Sequence, residues 1–161
     1  MAFPGNSKIT DKDNGYKAMR ARMKDLAQGD WTITVGVHDS AGNHGGTSQS
    51  VADIALIHEF GAPAANIPAR SFIGAWFDLH GRELAAKSTK EIQAFIKGTM
   101  TKAQVLARAG SRAVAGIQLR MAQNIPPPLK PATLARKGSS VALIDTGQTR
   151  GAVTWAEGKA K

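Results

Sequence analysis

The sequence predicts an α+β fold, and three observations carry the prediction. The segment Trp31-Thr32-Ile33-Thr34-Val35-Gly36-Val37 alternates, with Trp31, Ile33, Val35 and Val37 on one face and Thr32 and Thr34 on the other. Near the C-terminus, Ala152-Val153-Thr154-Trp155 is again rich in strand formers. Between and before these segments, apolar residues recur at helical spacing. A sheet with one covered face is the natural home for the alternation, and the helices supply the cover. Strand signals are thin outside residues 31–37 and 152–156. A sheet needs about three strands to stand alone, so either a further strand escapes notice or the helices complete the core.

The elements follow in order. Residues 1–14 lack periodicity, contain Pro4 and Gly5, and read as a flexible N-terminal arm. From Tyr16 a helix is expected, with Tyr16, Met19, Met23, Leu26 and Ala27 on one face, Asp11 or Asp13 as cap and Gly29 as stop. After the strand, residues 38–50 (HDSAGNHGGTSQS) form a long polar, glycine-rich loop, expected to be a mobile surface loop. Ser50-x-x-Asp53 opens a short helix that puts Val51, Ile54, Ala55 and His58 on one side and ends at Gly61 and Pro63. Residues 62–70, with Pro63 and Pro68, read as an extended, stiff connector.

A long helix is expected over 72–97, with a break near Gly81 and a seven-residue rhythm through Phe77, Leu84, Ser88, Glu91 or Ile92, and Phe95. Thr101-x-x-Gln104 is a capping box opening a second long helix. Its stripe, Ala103, Leu106, Gly110, Ala113, Val114, Ile117 and Met121, is rich in small residues, which allow close packing against a helix or sheet. Pro126-Pro127-Pro128 stops that helix, and a short one is expected over 132–137. Residues 15–156 thus read as a single α+β domain, followed by a basic tail, 157–161.

Composition narrows the function classes. Apolar residues make up 42% of the 161-residue chain, ordinary for a globular protein. No apolar run approaches the roughly 18–20 residues of a membrane span, and the N-terminus carries no signal-peptide pattern. There is no cysteine, which excludes disulfides and thiolate metal sites. The net charge of +9 is uneven: residues 1–30 carry +2, residues 31–80 carry −3 and residues 81–161 carry +10. A C-terminal half this basic points to an anionic partner, either nucleic acid or an acidic protein surface.

The catalytic readings fail on spacing. His58-Glu59 invites a metallopeptidase motif, but the fourth residue after His58 is Ala62, and Gly61 and Pro63 end the helix there. Glu59 is expected to pair with a basic group such as Arg70, and His58 to hydrogen-bond at the helix end. His38, Asp39 and His44 have ligand chemistry but sit in the glycine-rich loop, and no Gly-Lys-Ser/Thr follows to make a phosphate loop. No serine has a nucleophile-elbow context. No catalytic, cofactor-binding or metal residue is assigned, and the chain is not expected to be an enzyme. Lys87, Lys90, Lys97, Lys102, Arg108, Arg112 and Arg120 could instead line two helices as a basic stripe. The alternative function is therefore a basic protein that binds nucleic acid without sequence preference.

Three blocks in order, VADIALIHEFGAPAANIPARSFI (51–73), PPLKPATLARKGSS (127–140) and LIDTGQTRGAVTW (143–155), resemble the tail-completion or head–tail joining proteins of tailed bacteriophages. These are also described as virion morphogenesis or minor tail proteins of lambda-like and Mu-like phages. In that family a helix ending in His-Glu-Phe-Gly precedes a Pro-Ala-Arg-Pro/Ser-Phe segment, and a Leu-Ile-Asp-Thr-Gly-Gln/Arg-Leu-Arg block precedes a final strand. The matching positions are His58, Glu59, Phe60, Gly61, Ile67, Pro68, Ala69, Arg70 and Phe72, then Leu143, Ile144, Asp145, Thr146, Gly147, Gln148 and Arg150. Thr149 departs from the family's usual apolar residue. The resemblance implies a small, mainly antiparallel sheet packed against two or three helices. It also implies a homo-oligomeric, hexameric ring at the virion neck, assembled in the host cytoplasm and joined to connector and tail tube proteins. A weak phosphate contact with passing genomic DNA stays open; no membrane partner is expected.

Overall fold

The computed structural model describes residues 12–45, 47–136, 141, 143 and 147–158. Residues 1–11 of the expected arm, Ile144, Asp145 and Thr146 of the third block, and 159–161 of the expected tail lie outside the described residues. The elements are α1 (Tyr16–Gln28), β1 (Ile33–Val37), α2 (Val51–Phe60), α3 (Gly74–Lys97), α4 (Lys102–Ala122), α5 (Pro131–Arg136), α6 (Gln148–Gly151) and β2 (Val153–Glu157). The fold is α+β, with one antiparallel two-stranded sheet among the described residues.

β1 and β2 pair from Ile33 opposite Glu157 to Val37 opposite Val153. The Gly158 N–H extends the ladder by donating to the Thr32 carbonyl at 2.9 Å. Two strands do not hold a sheet by themselves, and here α4 completes the core by packing beneath both. Val153 is buried, and Val35 and Val37 pack on the same cluster as Phe72, Ile117 and Met121 of the helical layer. Each fully buried side chain of that size contributes about 2–3 kcal/mol.

The small-residue stripe of α4 packs on a helix and on the sheet, as expected. Two glycines of α4 admit tryptophan rings, Trp155 of β2 and Trp76 of α3. A Cβ at Gly110 would lie 2.4 Å from the Trp155 ring, and one at Gly116 would lie 2.3 Å from Nε1 of Trp76. Residues Val105, Leu106, Gly110, Ala113, Ile117 and Met121 form the buried stripe, while Ala103 is exposed. The capping box at Thr101 and Gln104 is complete in both directions.

α3 runs through Gly81 without a break, contrary to expectation, because a single glycine inside a 24-residue helix costs only about 1 kcal/mol. α3 is tied to α4 by Glu91, which is buried and accepts from both terminal nitrogens of Arg112, one at 3.2 Å. Trp31 is a second departure. It lies outside β1, its ring edge-on to Phe95 at 4.7 Å with the Lys102 ammonium over its face, and its Nε1 donates to the Asp25 carbonyl. α1 begins after Gly15, with the Asp13 carboxylate accepting from the Gly15 and Lys17 N–H groups, so Asp13 caps the first turn from outside.

Candidate functional site: the joint between two helices

Residues 50–74 build a joint whose parts are supplied by three separate stretches of chain. α2 starts at Ser50, whose hydroxyl accepts from the Asp53 N–H at 2.9 Å. It stops at Gly61, which has φ +78° and donates to the Ile57 carbonyl at 2.8 Å. A Cβ at Gly61 would lie 2.7 Å from the Ala69 nitrogen, so glycine is required both by the left-handed φ and by the returning chain. The connector is not extended as expected. Ala62 and Ile67 exchange two backbone hydrogen bonds across a tight turn with Asn66 at φ 56°. The chain therefore doubles back, and the Arg70 N–H donates to the His58 carbonyl at 2.7 Å.

Glu59 does not pair with Arg70. Its Oε1 accepts from the Ser71 hydroxyl at 2.6 Å and the Gly74 N–H at 2.8 Å; its Oε2 accepts from the N–H groups of Phe72 and Ile73 at 2.8 and 3.0 Å. These are the orphan donors at the start of α3, whose N-cap residue, Ile73, supplies no side-chain bond of its own. A carboxylate at a helix N-terminus also meets the positive end of the macrodipole. Partial burial pushes the Glu59 carboxyl up, but the Ser71 hydroxyl and the N–H groups of Ile73, Gly74 and Phe72 outweigh it. The net result lies below the ordinary carboxylate value. Ser71 passes the contact on, its oxygen accepting from the Ala75 N–H at 3.0 Å.

Arg70 is buried and reaches the second block. Its Nε and Nη2 both donate to the Pro127 carbonyl, at 3.1 and 2.7 Å. Desolvation lowers its pKa without approaching neutrality, since a guanidinium stays charged in proteins. Beside this tie lies a cleft of about 750 Å³, bordered by His58, Pro68, Arg70, Lys130, Gly147 and Thr149. The three separated blocks thus converge on one place. Gly147, at φ +80°, starts α6, an element with no signal in the sequence. Gln148 then clamps the 38–50 loop, its Nε2 donating to the Asn43 carbonyl and its Oε1 accepting from the Gly45 N–H.

That loop is more built than the expected surface loop. It holds a 3-10 turn at Asp39–Ala41 and a bridge between Asn43 and Ser50. His38 spans the sheet edge, one ring nitrogen 3.1 Å from the Thr34 hydroxyl and the other 2.9 Å from that of Thr154. Among the described residues, no three His, Asp or Glu side chains come together as a metal-binding group.

Of the expected site residues, His58, Glu59, Gly61, Pro68, Arg70, Phe72 and Gly147 meet at the joint, with Phe72 fully buried behind it. Phe60 points away and is largely exposed, Arg150 is exposed on α6, and Asp145 and Thr146 lie outside the described residues. Ser71, the Pro127 carbonyl and Gln148 are participants that spacing did not single out. The proposed basic stripe is largely spoken for: Lys87 bonds Glu83 at 2.6 Å, Arg112 bonds Glu91, the Arg120 Nε donates to the Ser71 carbonyl and Lys102 covers Trp31. No helix among the described residues is long and apolar enough to cross a membrane. Comparison with known families, curated proteins and solved structures finds no match to this chain.

Proposed function

We propose that this chain is a structural virion protein of the phage neck, a tail-completion or head–tail joining subunit that assembles into a homo-oligomeric ring and performs no catalytic turnover. The observation supporting the reading is the convergence of the three family-like blocks on one joint. Glu59 locks α2 to α3, Arg70 locks that pair to Pro127, and the cleft beside them is bordered by Gly147 and Thr149. Apart from the Ser71 hydroxyl on Glu59, the bonds assigned above to the His-Glu-Phe-Gly and Pro-Ala-Arg segments hold backbone. That is the work of a scaffold, and the apolar patches left outside the core suit a subunit that neighbours cover.

The experiment is genetic and structural. Particles made without this chain should accumulate as tailless heads and unjoined tails, and adding the purified protein to that mixture should restore joined virions. Normal joining in its absence overturns the reading.

A further inference from the structure

Besides exposed leucines on α3, α4 and α5 (Leu79, Leu119 and Leu134), two apolar patches lie outside the core, toward opposite ends of the longest helix. On α1, Tyr16, Met19 and Met23 are 62, 38 and 52% exposed. On α2, Leu56 and Phe60 are 55 and 72% exposed, with Asp53 exposed one turn earlier. The triplets 16-19-23 and 53-56-60 share one spacing, and at about 100° per residue each falls within an arc of roughly 60°. A stripe that narrow fits one helix laid against it.

α1 needs such a partner. Its 13 residues include none that is buried, and a helix of that length is marginal in water unless an apolar face is covered. Its ties to the rest of the chain lie at its C-terminal end, where Trp31 bonds Asp25 and rests on Phe95, and the Arg22 guanidinium lies against Gly98. In the N-terminal turns every residue from Tyr16 to Arg20 is exposed.

The patches are complementary in charge. α1 carries Lys17, Arg20, Arg22 and Lys24 against Asp25 alone, whereas α2 carries no Lys or Arg and presents Asp53 on this face, with Asp39 in the turn packed on it and Glu59 turned to the start of α3. They cannot meet within one molecule. α1 attaches beside Phe95–Gly98, and Glu59 fixes α2 to the Ser71–Gly74 end, which places them about 30 Å apart along α3.

We propose that α1 of one copy docks along the Asp53–Leu56–Phe60 face of α2 in the next copy, so that the chain associates head to tail. The proposal rests on the ring reading above and names its seam. A heterologous contact requires two different patches on each copy, and repetition of the contact closes a ring when the rotation permits.

The chain has no cysteine, so single engineered thiols report cleanly. Met19→Cys and Leu56→Cys variants, each checked for fold by circular dichroism, are mixed at high concentration and treated with a short bis-maleimide. Cross-linked dimers should form in the mixture and not in either variant alone, and the double variant should give a ladder of higher oligomers. Cross-linking within Met19→Cys alone, which marks a symmetric α1–α1 contact, or the absence of a mixed product, overturns the proposal. Sedimentation of the wild type separates the two failures. Oligomers without a mixed product overturn this seam and leave the ring. A wild type that stays monomeric overturns the seam, and the neck reading then stands or falls on the joining experiment. As a second arm, Asp53→Lys should weaken self-association about tenfold or more, and Arg20→Glu in the partner copy should restore part of it; equal association in all combinations also overturns it.

Discussion

Glu59 accepts four hydrogen bonds through two oxygens, and all four donors belong to the start of a different helix. Gln at this position keeps one oxygen and turns an NH2 group toward N–H donors, so Glu59→Gln should cost about 2–3 kcal/mol in urea unfolding at neutral pH. The pH dependence follows from the lowered carboxyl value. With the folded pKa below the unfolded one of about 4.3, the stabilisation is present above the unfolded value and is lost as pH falls through the folded one. The gap between wild type and Glu59→Gln should therefore close in acid; a gap that persists unchanged shows the carboxylate is not the cause. The glycines give a second residue-scale prediction. Gly110→Ala and Gly116→Ala drive a methyl into tryptophan rings and should each cost about 1–3 kcal/mol, while Gly81→Ala meets nothing within 4 Å and should gain about 0.5–1 kcal/mol. Thermal melts of the three variants decide it. At this scale the sequence names the right residue more readily than its partner. Glu59 stands out from its neighbours, yet the nearest cation, Arg70, draws the pairing, because a cap supplied by a distant carboxylate leaves no local pattern. Gly110 reads as small for packing on a helix or sheet, but nothing in the spacing says that a tryptophan ring fills the space, and Gly116 lies outside the expected stripe.

Among the elements, those governed by local chemistry are the ones a reader of the sequence recovers. The Ser50 cap, the Thr101–Gln104 box, the Gly61 stop and the β1 and β2 strands depend on residues a few positions apart or on simple alternation. The four-residue α6 and the described part of the 38–50 loop are held by partners far away in sequence, such as Gln118 on the Arg150 carbonyl and Gln148 on Asn43 and Gly45. The connector after Gly61 closes on its own Ala62–Ile67 pair, which no periodicity announces. Trp31 shows the same competition: alternation assigns it to a strand, and Phe95 and Lys102 take it instead. The element-scale prediction concerns Arg70. Arg70→Ala leaves the Pro127 carbonyl without its two donors and removes a buried side chain, and should cost about 2–4 kcal/mol. Arg70→Lys, with a single ammonium in place of the fork, should recover only part of that. Chemical denaturation of the pair checks it, and a Lys variant as stable as the wild type would show that the fork is not what matters.

Over the whole molecule, stability is uneven by construction. α4 touches both strands and α3 and contributes six buried residues, whereas α1 contributes none. Amide exchange should therefore be slowest in α4 and fast in α1 of the isolated chain, with α1 slowing markedly once copies associate. Exchange in α1 that is already slow in a dilute monomer would refute this ordering. The Glu59 cap has one more consequence at this scale. Because α2 carries one proposed seam and the far end of α3 anchors the other, that single carboxylate sets the angle between them. The angle from one copy to the next is the curvature of the assembly. A subunit with a loosened hinge at Ser71–Gly74 would keep both adhesive faces while losing its fixed bend. On the proposed seam, Glu59→Gln should accordingly yield arcs and rings of mixed gauge in negative stain, whereas the wild type should close at a single diameter.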